Sequence, residues 1–385
     1  MELLKLGTAA MMKVNVPLPF SVRDEAGSLL LAKGRSIVNK AQLEMLMSRG
    51  VFVDREEYKV AVQAAAQKAS AGARDQAADD SPKLTTFDLW EQSIWALDRL
   101  LRNMATEPGF PARMDAFAAR FVAQVDRDPD IAIFISMRQD ERRMALYGLT
   151  HSLHTALVCR LMARRLEWPE DRQQTLLKAA LTMNVAMLDL QGRLAAQGGT
   201  LTEDQQAQVR SHPEQGSELL RAAGVADEGW LSAVRDHHER ADGTGYPRGA
   251  TDMSELAAAL RVADVFMAKI SPRTNRASLS IQEAARQMFQ ESKGSPVAAA
   301  IIKEYGVYPP GDLVQLASGE TAVVVHRGAA VQTPIVMALT DRMGMVTLTP
   351  TRRDTSHSGF AITGPARDKK LALPVSAERL FGLTR

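Results

Sequence analysis

Cysteine occurs once in 385 residues, at Cys159. A single thiol excludes an internal disulfide framework and any zinc site built on several thiolates, and it fits a reducing compartment. With the apolar Val158 beside it, Cys159 reads as a buried structural thiol. Aromatic residues make up only 5% of the chain. Neither sign of charge dominates: 47 Lys and Arg against 45 Asp and Glu leave a net +2. Composition therefore gives no nucleic-acid-binding tail and no polybasic membrane patch. No run approaches the roughly eighteen apolar residues of a membrane span, and Met1 to Met12 is too short and mixed for a secretory signal. The expectation is a cytoplasmic protein with no membrane span and no nucleic-acid partner. Ala, Leu, Met and Gln are plentiful, which favours helices, in a chain long enough for two or more domains.

In chain order, residues 1–60 read as a small α/β domain. Val14, Val16, Leu18 and Phe20 alternate, as do Leu29 and Leu31, with Asp24 to Gly27 as the turn between them. Asn39 is placed to cap a helix over Lys40 to Ser48, and Gly50 to Val53 suggests a last strand. Residues 61–84 lack a sustained apolar face and read as a helix tail running into a flexible linker. Residues 85–130 form a helical connector: Phe87, Trp90, Ile94, Leu97 and Leu101 make one stripe, and Met114, Phe117, Phe121 and Val125 a second. Core packing is the default reading of both; the next domain or a second subunit are the other surfaces that could cover them. From 131 to 310 the helical period is nearly continuous, with Tyr147 opening a helix to about Leu166 and Thr202-Glu-Asp-Gln205 forming a capping box. After Pro309-Pro-Gly311 the period changes. Residues 311–385 read as antiparallel β around Leu313–Ala317, Thr321–His326, Ile335–Leu339 and Met345–Thr349, with a featureless tail.

One stretch carries chemistry. Trp230, Leu231 and Val234 recur at helical spacing, so His237-His238 falls at a helix end. Asp242-Gly-Thr-Gly-Tyr-Pro247 must then be a tight loop, since two glycines and a proline cannot continue the helix. Adjacent imidazoles suit a metal site; they equally suit a polar helix terminus bonded to local carbonyls. The attached Gly-Tyr-Pro loop tips the reading towards a metal.

His237-His-Glu-Arg-Ala-Asp-Gly-Thr-Gly-Tyr-Pro247 resembles the signature of the HD-GYP family, bacterial proteins that hydrolyse cyclic di-GMP at a metal centre. The resemblance implies a mainly α fold, an HD-superfamily helical bundle, flanked here by the small N-terminal α/β domain and the C-terminal antiparallel β segment. It further implies metal ligands at His151, His212, His237, His238 and Asp264, of which His212, His237 and His238 serve one metal and His151 and Asp264 the other. Arg273 and Arg276 stand at the two basic positions that the family places near the ligand's phosphates; the plain alternative is a solvated helix end. Gly245, Tyr246 and Pro247 form the loop associated with partner binding.

The family's name-giving His-Asp pair is what this sequence departs from. Counting back from His212-Pro213 at family spacing reaches Met183-Asn184, and the family's nearby lysine becomes Met187. A binuclear hydrolase needs an anionic bridge to hold two cations about 3.5–4 Å apart and to lower the pKa of their shared water. Asn184 is neutral, and Met183 is a soft thioether poorly matched to Fe, Mn or Mg. Met183 and Met187, four apart, are expected on one helix face. Asp189 would lie about 140° round that helix from Asn184 and is no substitute. The expectation is therefore at most one divalent metal (Fe, Mn or similar) or none, and no assignable catalytic residue. The protein would bind cyclic di-GMP or a related nucleotide, or a protein partner through the Gly-Tyr-Pro loop, with little or no hydrolysis, and could form a homodimer. The alternative is an active metal-dependent phosphodiesterase using the surviving ligands.

Overall fold

The structure is a computed structural model that describes residues 2–6, 11–14, 16–37, 40–70, 84–139, 141–274, 276–366, 373 and 375–383. The N-terminal part is a four-stranded antiparallel sheet in the order β1-β4-β2-β3, formed by β1 (Leu3–Leu6), β2 (Val22–Arg23), β3 (Leu29–Leu31) and β4 (Val51–Asp54), with helix α1 (Lys40–Arg49) between β3 and β4. Among the described residues of the strand expected over Val14–Phe20, only isolated bridges at Val14 and Pro17 form. Leu18 and Phe20 do point inward and are buried, but Pro17 and Pro19 have no N–H to offer a ladder. Helix α2 (Arg55–Ser70) follows β4 directly, so the helix tail expected from residue 61 belongs to it. The proposed cap Asn39 and the rest of the linker, 71–83, lie outside the described residues.

Helix α3 (Thr86–Arg102) starts at a complete capping box between Thr85 and Asp88, and α4 (Phe110–Arg127) returns beside it. Their stripes are buried within this one chain: the rings of Trp90 and Phe121 meet at a tilt with centroids 5.5 Å apart, and both belong to the main core. Arg143 ties the N-terminal sheet to α3, donating to the Leu30 carbonyl at 2.9 Å and to Glu91 at 2.7 Å.

The helical domain comprises α5 (Pro129–Met137), α6 (Tyr147–Arg165), α7 (Glu170–Thr182), α8 (Leu188–Ala196), α9 (Glu203–Ala222), α10 (Glu228–Asp236), α11 (Glu255–Ile270), α12 (Ile281–Glu291) and α13 (Pro296–Tyr305). Helix α6 is buried on almost every side and packs against α7, α8, α11 and α13. It is the central post of the bundle. Cys159 lies on it, fully buried, and burial pushes its thiol up.

One expectation is corrected. Met183 and Met187 do not share a helix face, because α7 stops at Thr182 and a 3-10 turn over Val185–Met187 separates it from α8. Met183 and Asn184 are buried nonetheless. Asp189, excluded as a substitute, instead holds Arg102 in an ion pair at 2.5 Å.

The C-terminal sheet is antiparallel in the order β8-β7-β6-β5-β9, from β5 (Leu313–Leu316), β6 (Thr321–His326), β7 (Ile335–Thr340), β8 (Val346–Asp354) and β9 (Ile362–Pro365). Strand β9 has no sequence counterpart above, since its Ile-Thr-Gly-Pro run carries too little apolar pattern. A four-residue helix, α14 (Ala377–Leu380), closes the described chain. Arg327 couples this sheet to the bundle, reaching Glu304 at 2.9 Å as well as Asp130. No helix among the described residues is long and apolar enough to cross a membrane.

Candidate metal centre

Helix α10 is placed by Asp227, which caps its N-terminus, and by Trp230, whose indole N–H donates to Thr182 at 2.8 Å. The helix ends at His237. The chain then turns sharply enough that the Tyr246 N–H approaches the His238 carbonyl at 3.3 Å. Gly245 is what permits the turn: a Cβ there would lie 2.5 Å from the Arg240 nitrogen and the Glu239 Cα. Glu239 locks the far side of the loop. Its fully buried carboxylate accepts from the backbone N–H of Arg248 at 2.8 Å and of Ala250 at 2.9 Å. Sequence reasoning had Glu239 only as a neighbour of the histidine pair; its role depends on residues nine and eleven positions away.

His212 comes from the middle of α9. Pro213 has no N–H, so the carbonyl of Val209, four residues earlier, has no helical donor from it. The His212 Nδ1 takes that place at 2.6 Å. His237 does the same with the Val234 carbonyl, near the end of α10, at 2.6 Å. A carbonyl can only accept, so in both rings Nδ1 carries the proton and Nε2 keeps a lone pair. Those two Nε2 atoms face each other at 3.3 Å. Two lone pairs at that distance are not a hydrogen bond. They suit a shared cation, since two nitrogens about 2.1 Å from one ion in tetrahedral geometry lie about 3.4 Å apart. His238 completes the trio, with one ligand atom from each ring within 4.8 Å of the others. Its ring lies 4.0 Å from that of His237 and stacks on Tyr246 at 4.6 Å. The donor set, tautomers and spacing fit a divalent metal.

The Val209 carbonyl makes Pro213 testable. Pro213→Ala would supply a backbone N–H that competes with His212 for this acceptor. Metal affinity should fall about 10–100-fold, as for other losses of a ligand's supporting hydrogen bond, while the melting temperature holds or rises. Unchanged affinity in a metal titration would rule out this role.

His151 of α6 and Asp264 of α11 meet at 2.7 Å, and Asp264 is 3.9 Å from His238. All five sequence-expected ligands thus form one continuous cluster, drawn from α6, α9, α10 and α11. Burial opposes ionisation of Asp264, but the His151 hydrogen bond and charge outweigh it and hold the carboxyl well below its usual range. Tyr147 stacks on His151 at 5.4 Å and accepts from Arg273 Nε at 3.0 Å. Arg276 bonds to the Ala268 carbonyl. Among the described residues Asn184 makes no hydrogen bond to any of the five, and its buried Oδ1 has no partner. Its segment packs on α9 near Gly216, one turn beyond His212, where a Cβ would lie 3.7 Å from the Met183 carbonyl oxygen.

Burial disfavours imidazolium in the trio His212, His237 and His238. His212 is pushed down to about 3, by burial first and then by the charge of His237; His237 and His238 are lowered too. His154, on α6 and stacked on Trp90, is also pushed down to about 3 by burial and by His151. An unfolded histidine protonates near about 6.5, so below that pH the unfolded chain binds more protons than the folded one. Stability must then fall as pH drops from about 6.5 towards 3, by up to about tenfold in the folding constant per pH unit per histidine. Urea midpoints for the metal-free protein should decrease steadily from pH 7 to pH 5; equal midpoints would contradict these burials.

This cluster, on a helical bundle with a separate antiparallel sheet, defines an HD-type metal-binding domain. Residues 136–295 match the HD domain family, and the similar proteins support the HD-GYP family for that part of the chain. It is 33% identical over 192 residues to the cyclic di-GMP phosphodiesterase PA4108 of Pseudomonas aeruginosa, covering 48% of this chain and 46% of that protein. It is 30% identical over 138 residues to the cyclic di-GMP phosphodiesterase response regulator RpfG of Xanthomonas campestris, covering 35% and 36%. It is 29% identical over 150 residues to 3'3'-cGAMP-specific phosphodiesterase 3 of Vibrio cholerae, covering 36% and 30%. In each case the match spans less than half of the relative's length. In fold it is similar to Bd1817, an HDG"Y"P protein of Bdellovibrio bacteriovorus, with a TM-score of 0.50 and 14% identity over 78% of this chain and 99% of that one.

Proposed function

We propose that this is a degenerate HD-GYP signalling protein, which binds cyclic di-GMP or a signalling partner and hydrolyses little or none. The observation that carries the reading is the residue at the bridging position: the segment bearing Met183 and Asn184 brings no anionic side chain to the cluster. His212, His237 and His238 are left to hold one ion with an open coordination position. A divalent ion there would polarise a phosphoryl oxygen. Arg273 and Arg276 would meet the ligand's phosphates, and Gly245, Tyr246 and Pro247 would offer the surface for a protein partner or a second copy. The second reading, an active phosphodiesterase, is favoured by the intact histidine trio and by the activities for which the relatives are named.

Elemental analysis paired with a cyclic di-GMP hydrolysis assay separates the two. We expect no more than one metal per chain, lost on His212→Ala, and turnover close to background. Two stoichiometric metals, or a rate abolished by chelation, would favour the enzyme.

A further inference from the structure

At the tip of the β7–β8 hairpin, Met343, Met345, Val346 and Leu348 are between 56% and 89% exposed. Exposed apolar residues elsewhere, such as Val16, Leu219 and Phe289, stand singly, which is ordinary for a protein surface. The turn that presents the four is closed. The Asp341 carboxylate accepts from the backbone N–H of Met343 and of Met345, each at 2.9 Å, and the Asp341 N–H donates to the Met345 carbonyl at 2.8 Å. Successive residues of an extended segment point to opposite faces. With Met345 and Val346 both exposed, the tip is apolar on each side.

The carboxylates of the hairpin and of the adjacent β5–β6 turn are taken up within the sheet. Asp341 serves its own turn, Glu320 holds Arg353 at 2.7 Å and Asp354 accepts from the Ser356 hydroxyl at 2.7 Å. Arg342 and Arg352 are exposed and have no hydrogen bond or ion pair among the described residues. A flat protein face would cover one side of this tip and leave the other in water. A second copy pairing along β8, the edge strand, would meet Pro350, which has no N–H, and a bulge. Between the pairs Ala338–Thr351 and Thr340–Val346, β7 advances two residues while β8 advances five. Proline and bulges on an edge oppose strand pairing. Acyl chains, by contrast, close round both sides, and anionic headgroups match the two guanidinium groups above them.

We propose that the β7–β8 tip docks on an anionic lipid bilayer, with Met343, Met345, Val346 and Leu348 at the acyl boundary and Arg342 and Arg352 on lipid phosphates. The contact is interfacial, of the roughly 5–10 Å depth that surface-bound amphipathic elements reach. None of its residues belongs to the histidine cluster, so docking leaves the metal centre intact.

Co-sedimentation of the full chain with vesicles tests this, comparing phosphatidylcholine alone with an equal mixture of phosphatidylcholine and phosphatidylglycerol. The mixed vesicles should bind the protein at least about tenfold more tightly than the neutral ones. Met343→Ser with Leu348→Ser should weaken that binding by about tenfold or more, and Arg342→Ala with Arg352→Ala should reduce it to the level of neutral vesicles. All four positions are exposed, so melting temperatures should match the wild type, and one pair folding normally is sufficient. Protein that stays in the supernatant with mixed vesicles overturns the proposal, as does either pair binding like the wild type. A concentration-dependent dimer in sedimentation equilibrium, abolished by the serine pair and formed without any vesicle binding, would assign the tip to a second copy and overturn it too.

Discussion

Met183→His with Asn184→Asp should raise cyclic di-GMP hydrolysis measurably above the wild-type rate and add one bound metal ion per chain. The stability of the variant gives a sharper readout than its rate. Asn184 is buried at 2% exposure, and its Oδ1 has no hydrogen-bond partner among the described residues. A carboxylate there has no cation in the metal-free protein, and an uncompensated buried charge costs about 3–5 kcal/mol. The doubly substituted apoprotein should therefore melt well below the wild type, and divalent metal should reverse the loss by binding only the folded state. Because a 3-10 turn separates Met183 from Met187, the lysine of the family pattern is not carried on a shared helix face, and the pair should be tested with and without Met187→Lys. A wild-type rate equal to that of the restored protein, and abolished by chelation, would establish an active enzyme. A metal-free variant as stable as the wild type would show that Asn184 does not face a cation site.

Gly245→Ala is expected to remove both the loop and the metal. The new Cβ would stand 2.5 Å from two backbone atoms and 2.6 Å from the His238 carbonyl oxygen, with no flexible side chain to give way. The loop must open, which loosens the stack of Tyr246 on His238 and the grip of Glu239 on Arg248 and Ala250. The destabilisation should be on the order of 3 kcal/mol or more, among the larger effects of a single substitution. Metal affinity should fall with it, because His238 loses its position. The α10 helix, anchored separately through Asp227 and Trp230, should persist. A variant with wild-type melting temperature and metal affinity would mean that the loop does not position His238. Binding of metal without the Tyr246 stack would assign the loop to partner recognition alone.

Local features were legible in the sequence because their causes are local. Two glycines and a proline keep the stretch after α10 a loop where they stand, Thr202 and Gln205 cap α9 across three residues, and the apolar stripes of α3 and α4 follow from spacing alone. The five expected ligands could be named only because a motif tied them together; their meeting depends on tertiary packing, with His151 and Asp264 separated by 113 positions yet bonded. Three decisions belonged to the folded structure. The helix breaks after Thr182, because backbone hydrogen bonding and packing against α9 and α8, rather than periodicity, place Met183 to Met187. Prolines 17 and 19 defeat a well-alternating strand, since a ladder needs donors as well as an apolar face. And the tautomers of His212 and His237 are set by the Val209 and Val234 carbonyls, so that two lone pairs point at one space. Residue types and spacing carried the donor set; only the arrangement of buried acceptors around it decided which nitrogens are free to bind.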